Sequence, residues 1–233
     1  MKRIRHLFFD VDDTIFDFDK CAAAVIKQAF EEYGLKYDDN VFPAFKRINT
    51  EFWRRIEKGE IDRAYLSAHR FDAVFRCLGI KFDGTVFEER FRAGLHTSHE
   101  EVEGAARAIK ALAGKYKMYV ASNSFYAQQL NRLTLAGLND CFDAIFVSEE
   151  VGYSKPSREF FDEIMERASV GDPESAMMIG DSLTADIEGA AAAGMRSCWF
   201  NRTGAKAPPY VDVTTDDISR LPEILARING DIE

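Results

Sequence analysis

The sequence of 233 residues predicts an α/β fold, in which a parallel β-sheet is covered by helices on both faces. From about residue 103 onward, short apolar runs alternate with amphipathic segments, as in parallel sheets with crossover helices. Met177-Met178-Ile179 is apolar throughout, which indicates a strand buried on both faces. A run of the same kind stands near the N-terminus, and a long helical stretch separates it from the others.

Five short strands are predicted from the apolar runs. They are Leu7–Phe9, Met118–Ala121, Ala144–Val147, Ala176–Ile179 and Arg196–Trp199. Because helical segments separate the later four, we expect parallel pairing in one Rossmann-like sheet.

Amphipathic segments between the later strands are predicted to be the crossover helices. They are Gly104–Lys115, Ala127–Ala136, Arg158–Ala168 and Thr184–Ala193. Gly194 follows the last segment, where a left-handed helix C-cap is expected.

The stretch after the first strand carries one-faced apolar stripes at helical spacing, which predict about four inserted helices. We therefore expect two domains: an α/β core of residues 1–16 and 97–233, and an inserted helical cap of residues 17–96. A helical mini-core beside a sheet domain commonly forms a cleft.

The composition narrows the class of function. The net charge is −9, and an acidic surface argues against binding of a nucleic-acid polymer. The apolar runs are too short for a membrane span, and the basic start leads directly into acidic residues without a signal-peptide apolar region. We expect a cytoplasmic protein with a small-molecule substrate, as a monomer or a homodimer.

Asp10-Val11-Asp12-Asp13-Thr14 follows the first predicted strand, at the sheet edge where α/β proteins bind ligands. Three carboxylates in four residues repel one another, but a hard cation such as Mg²⁺ takes oxygen ligands of this kind. A solvated acidic turn is the alternative interpretation.

Three further motifs stand at or near the ends of later strands. Gly180-Asp181, followed by Asp186, adds two carboxylates to this edge, although the neighbouring hydroxyl residues could simply cap a helix. Ser122-Asn123 precedes a helix, whose free N–H groups favour phosphate, or it is an ordinary helix cap. Lys155 could neutralise a phosphoryl group, or it is a surface lysine.

Together and in this order, the four motifs resemble those of the haloacid dehalogenase-like (HAD) hydrolase superfamily, over essentially the whole chain. The first matches its Asp-x-Asp-x-Thr signature, and Ser122, Lys155 and Gly180-Asp181 match the second, third and fourth. The resemblance implies an inserted cap of the C1 type and a Mg²⁺-dependent phosphomonoesterase.

The resemblance also implies roles for the acidic residues. Asp10 would be the nucleophile that forms an aspartyl-phosphate, and Asp12 the general acid and then the base. The Asp10 carboxylate, the Asp12 backbone carbonyl and the Asp181 carboxylate would hold Mg²⁺.

The remaining motif residues would handle the phosphoryl group and support the site. Ser122 and the Asn123 amide would bind phosphoryl oxygens, and Lys155 would neutralise charge. Asp186 would lie near the metal or hold Lys155, and Thr14 would stabilise the loop.

Segments around the third and fourth motifs resemble the pyrimidine 5′-nucleotidase branch, which implies nucleoside 5′-monophosphates as substrates. Ser157 stands where this superfamily often has Asp after Lys-Pro, which leaves the substrate open. The alternatives are a β-phosphoglucomutase-like mutase or phosphatase, and a non-enzymatic HAD-like binding protein. The last should have lost one of the motif carboxylates or the lysine, yet all are present.

Overall fold

The computed structural model describes residues 2–232, which divide into two compact units. The helical unit is Phe18–Ser98, and the sheet unit comprises the described residues on either side of it. That the helical unit acts as a cap domain stays a prediction.

The sheet unit contains six parallel strands. They are His6–Phe9 (β1), Lys117–Ser122 (β2), Ala144–Val147 (β3), Ala176–Gly180 (β4), Arg196–Phe200 (β5) and Val213–Thr215 (β6). Their order is β3-β2-β1-β4-β5-β6, which is the Rossmann-type order. The five predicted strands are confirmed, and β6 was not predicted because it is short and partly exposed.

The strand register brings the predicted motifs to one edge. Phe9, the last residue of β1, pairs with Val120 of β2 on one side and with Ile179 of β4 on the other. The strand order reverses between β1 and β4, and ligands bind beside such a switch point. Asp10 and Asp181, which follow these two strands, therefore lie at the expected position for a site.

The helical unit contains four helices around a core of aromatic rings. They are Phe18–Glu32 (α1), Val41–Glu57 (α2), Arg63–Leu78 (α3) and Gly84–Leu95 (α4). Buried phenylalanines from all four helices pack together: Phe30, Phe45, Phe71, Phe75, Phe87 and Phe91. Asp62 and Asp83 cap α3 and α4 by accepting backbone N–H groups of the first turns.

A buried ion pair connects α3 to α4 inside this core. Arg70 donates to both carboxylate oxygens of Glu88, at 2.6 and 3.1 Å, and to Asn49 Oδ1 at 2.8 Å. Its guanidinium also lies 4.8 Å from the centroid of the Phe91 ring. Since both charges are buried, each depends on the other for compensation.

We expect Glu88→Ala to lower the free energy of unfolding by about 3–5 kcal/mol, because it leaves the Arg70 charge buried without its carboxylate. The measurement is urea unfolding followed by far-ultraviolet circular dichroism. Glu89→Ala, on the exposed neighbour, is the matched control and should change stability by about 0.5 kcal/mol or less. Equal effects of the two substitutions would contradict the importance of the pair.

Helices pack on both faces of the sheet. They are Ala105–Leu112 (α5), Tyr126–Leu135 (α6), Ser148–Val151 (α7), Arg158–Arg167 (α8), Gly189–Ala192 (α9) and Leu221–Ile228 (α10). Gly194 has the predicted left-handed conformation, with φ of 80°. Among the described residues, no helix is both long and apolar enough to cross a membrane.

The helix predicted over 184–193 differs from the structure. Leu183–Glu188 forms a π-helical segment, and only Gly189–Ala192 is α-helical. Ser182 caps the segment by accepting the Ala185 N–H, while the Asp186 side chain turns back to accept the Ser182 N–H. Wider turns of this kind are frequent at functional sites, and this one points Asp186 into the protein.

Candidate active site

The site is built around the Asp10 carboxylate, which is nearly buried where β1 ends. The backbone N–H of Asp10 donates to the carbonyl of Ile179 at 2.9 Å, so the chain is still anchored to β4 at this residue. The following residues turn tightly, with the N–H groups of Ile15 and Phe16 both donating to the Val11 carbonyl. This turn keeps Asp10 and Asp12 at the sheet edge.

Lys155 is buried and makes three hydrogen bonds through its ammonium group. Nζ lies 2.7 Å from Asp10 Oδ1, 2.6 Å from Asp186 Oδ1 and 2.8 Å from the carbonyl oxygen of Ala121. Burial alone lowers the pKa of a lysine, but here the charges of the two carboxylates outweigh it and raise the pKa of Lys155. The lysine is therefore a fixed positive charge beside Asp10.

Asp186 is held against Lys155. The sequence places this carboxylate either near a metal or against Lys155, and the structure shows the contact with the lysine. Its Oδ1 accepts from Lys155, and its Oδ2 accepts from the backbone N–H of Ser182 at 3.1 Å. A Cβ on Gly180 would lie 2.2 Å from Asp186 Oδ2, so only glycine leaves room for this carboxylate. The glycine in Gly180-Asp181 thus has a packing reason.

The carboxylates carry more negative charge than Lys155 compensates. Burial, together with the charges of Asp186 and Asp12, raises the pKa of Asp10 to about 7 although Lys155 opposes the shift. Burial and the charge of Asp10 also raise the pKa of Asp181 well above its ordinary value. One carboxylate oxygen from each of Asp10, Asp181 and Asp186 lies within 4.8 Å of the others. Such a cluster suits a hard divalent cation.

Two side chains orient Asp181. Thr14 Oγ1 lies 3.5 Å from Asp181 Oδ1, consistent with the loop-stabilising role expected of this threonine. Trp199, at the end of β5, donates its indole N–H to the Asp181 carbonyl at 2.8 Å. Trp199 is not among the predicted site residues, because a tryptophan in a predicted strand does not show which acceptor its indole N–H meets.

The third carboxylate of the first motif, Asp13, is not one of the three in this cluster. Asp13 adopts a left-handed conformation, with φ of 63°, which aspartate tolerates better than most residues. Its carboxylate pairs with Arg202 at 2.6 Å. Asp13 is therefore satisfied by an arginine and lies outside the group that could hold a cation.

Ser122 is the last residue of β2, and Asn123 follows it, on the other side of β1. The Ser122 hydroxyl is buried and accepts from Gln129 Nε2 at 3.2 Å. The Asn123 side chain instead spans the backbone of Lys155, accepting its N–H and donating to its carbonyl, both at 2.8 Å. This side chain therefore fixes the backbone of the lysine.

Asp12 is held by two residues of α6 that the sequence analysis did not identify. Arg132 Nη1 donates to Asp12 Oδ1 at 2.7 Å, and Gln129 Nε2 donates to Asp12 Oδ2 at 3.2 Å. Both partners are fully buried. A charged residue beside buried Leu133, on the inward face of a predicted amphipathic helix, was the signal that could have found them.

The Rossmann-like fold, with a buried carboxylate–lysine cluster at its switch point, defines the class of the protein as an α/β protein with an acidic candidate site. The family model for haloacid dehalogenase-like hydrolases matches residues 4–194. The chain therefore belongs to this family, and the resemblance inferred from its motifs is confirmed.

Individual relatives are similar over most of their length. The HAD-hydrolase YfnB of Bacillus subtilis is 35% identical over 98% of this chain and 97% of its own. The pyrimidine 5′-nucleotidase YjjG of Escherichia coli is 30% identical, covering 94% and 95%. PynA of Streptococcus pneumoniae, also a pyrimidine 5′-nucleotidase, is 32% identical, covering 84% of each chain.

A solved structure of one relative gives the same fold. The crystal structure of YfnB bound to magnesium superposes with a TM-score of 0.90 and 34% identity, covering 96% of this chain and 99% of that one. This structure agrees with the architecture described above.

Proposed function

We propose that this chain is a Mg²⁺-dependent phosphomonoesterase that hydrolyses small phosphorylated metabolites, with pyrimidine nucleoside 5′-monophosphates favoured, through an aspartyl-phosphate. The observation that carries the proposal is the buried Asp10 carboxylate, 2.7 Å from the Lys155 ammonium and within reach of the Asp181 carboxylate. A carboxylate in these surroundings is suited to attack a phosphoryl group whose charge the lysine offsets.

In the first step, an oxygen of Asp10 attacks phosphorus, and the bond from phosphorus to the ester oxygen breaks. Asp12 donates a proton to that oxygen as it leaves. Lys155, the Ser122 hydroxyl and the Asn123 backbone N–H contact the phosphoryl oxygens during the transfer. The products are an alcohol and phospho-Asp10.

In the second step, Asp12 takes a proton from water, and the water oxygen attacks phosphorus. The bond from phosphorus to Asp10 breaks, which releases inorganic phosphate and restores both carboxyl groups. The Asp12 side chain is 33% exposed, so water can reach it while its two α6 partners remain buried.

The residues present fit a magnesium ion. The Asp10 and Asp181 carboxylates and the Asp12 backbone carbonyl would hold it, since these are the hard oxygen ligands that Mg²⁺ prefers. Asp186 is the third carboxylate of the cluster, but it is already engaged by Lys155 and Ser182. When bound, Mg²⁺ supplies positive charge that lets a phosphate dianion approach the carboxylates.

Chelation of divalent cations should abolish turnover, and added Mg²⁺ should restore it, because the uncompensated carboxylates repel an anionic substrate. Asp181→Asn should raise the Mg²⁺ concentration for half-maximal activity by at least about 10-fold. The measurement is phosphate release from p-nitrophenyl phosphate across a Mg²⁺ titration. Asp216→Asn, on the exposed surface, is the control and should leave the titration unchanged. Full activity in excess chelator would rule out the metal requirement.

The substrate class is supported by two relatives that are named pyrimidine 5′-nucleotidases. We expect kcat/KM to be higher for uridine and thymidine 5′-monophosphates than for hexose phosphates. The measurement is inorganic phosphate release across a panel of nucleotides and sugar phosphates, with Asp10→Asn as the blank. If hexose phosphates are turned over far faster than every nucleotide, this substrate class is wrong. If a sugar phosphate is isomerised without release of phosphate, the protein is a mutase.

A further inference from the structure

Two neighbouring residues on the inward face of α6 form one hydrogen-bonded unit with the site. Gln129 and Arg132 are separated by three positions, so their side chains lie on the same face of the helix. Both are fully buried. Arg132 Nη1 also donates to Gln129 Oε1 at 3.1 Å, which couples the two side chains to each other.

Burial of the Arg132 guanidinium costs free energy that its contacts must offset. The charge is offset by the Asp12 carboxylate at 2.7 Å and by the Phe16 ring, whose centroid lies 4.7 Å from Cζ. Apolar residues of similar volume commonly replace a buried ion pair without loss of stability. The geometry therefore favours a role for Arg132 that depends on Asp12.

Gln129 uses its amide group to join two candidate functional residues. Nε2 donates to Asp12 Oδ2 and to Ser122 Oγ, both at 3.2 Å, while Oε1 accepts from Arg132. The arginine thereby fixes which end of the amide faces Asp12. A single buried unit thus orients the carboxylate of one loop and the hydroxyl at the end of β2.

We infer that Arg132 and Gln129 are positioning residues for phosphoryl transfer, which hold Asp12 and Ser122 at the distances that the reaction needs. The inference rests on the proposed function and extends it to residues outside the family motifs. If Asp12 is displaced, proton donation to the leaving oxygen fails first. The loss of rate therefore grows with the basicity of the leaving group.

The test uses substituted phenyl phosphates, which have one shape and a graded leaving group, from p-nitrophenolate to the more basic phenolate. Rapid mixing with enzyme in excess and saturating Mg²⁺ measures phenol release in a single turnover. For Arg132→Met and Gln129→Glu, we expect a loss of about 10²-fold with phenyl phosphate and a much smaller loss with p-nitrophenyl phosphate. Arg132→Lys, which keeps the charge, should recover part of the rate.

The same changes made in an Asp12→Asn background should no longer alter the dependence on the leaving group, because the side chain that they position is gone. Arg70→Met removes a buried, ion-paired arginine from the helical unit and is the matched control. It should lower the melting temperature without changing that dependence.

Equal losses across the phosphate series would reduce Arg132 and Gln129 to packing residues. So would substitutions that still alter the leaving-group dependence when they are made in the Asp12→Asn background. If Arg132→Met does not fold, Arg132→Lys and Gln129→Glu still decide between these outcomes. Failure of the unmodified enzyme to hydrolyse any member of the series with Mg²⁺ would instead refute the proposed function. The two failures are therefore distinguishable.

Discussion

Asp10→Asn should reduce the turnover of every phosphate ester by at least about 10⁴-fold, because the amide cannot replace the attacking carboxylate. The asparagine keeps the shape of the side chain and can still accept a hydrogen bond from Lys155. The protein should therefore fold normally while losing the reaction. The measurement is kcat with p-nitrophenyl phosphate and with uridine 5′-monophosphate, accompanied by the melting temperature.

The matched control is Asp13→Asn, which makes the same chemical change three residues away. Asp13 pairs with Arg202 and has no assigned part in the chemistry, and asparagine also tolerates its left-handed backbone. This variant should keep turnover within about 10-fold, in line with the weak energies of exposed ion pairs. If the Asp10→Asn variant keeps more than about one hundredth of the activity, Asp10 is not the nucleophile.

The sheet and the location of the site could be predicted from sequence because both depend on local patterns. Strands such as Ala176–Gly180 are apolar throughout, since both of their faces are buried. Parallel strands also place their carboxyl ends at a common edge, so residues at or just after the ends of β1, β2 and β4 must converge. The order of strands and motifs along the chain therefore predicts that Asp10, Ser122 and Asp181 lie at the same edge of the sheet.

The partner of Asp186 could not be chosen from the sequence. Its position after Ser182 fits a regular helix, in which the carboxylate would point elsewhere. The π-helical segment and the absence of a Cβ on Gly180 together bring the carboxylate to Lys155. Both are consequences of tertiary packing, which overrides local helix preference.

The α6 residues were missed for a related reason. Glutamine and arginine are ordinary components of exposed helix surfaces, and their place beside Leu133 does not show which residues they contact. Their burial follows from the way α6 packs beside the loop that carries Asp12 and Phe16. Functional partners that lie far apart in sequence become visible only when the fold places them in contact.

Asp12→Asn should separate the two steps of the proposed reaction, because it removes the proton donor and the later base but leaves the nucleophile. An alkoxide leaving group is strongly basic and needs the proton, so single-turnover release of uridine from its 5′-monophosphate should fall by about 10²–10⁴-fold. p-Nitrophenolate leaves without that proton, so its release should be much less affected. Attack of water on phospho-Asp10 should then be slow, because its general base is missing.

The expected trace with p-nitrophenyl phosphate is therefore a burst of about one p-nitrophenolate per enzyme, followed by a slow steady rate. Rapid mixing records the burst, and intact-protein mass spectrometry of the quenched reaction should find one added phosphoryl group. The added mass should be missing from the Asp10→Asn, Asp12→Asn double variant, since its acceptor has gone. Asp13→Asn should give no stalled intermediate. Equal losses on both substrates, without a burst or a trapped phosphoryl group, would show that Asp12 does not act as the acid and base.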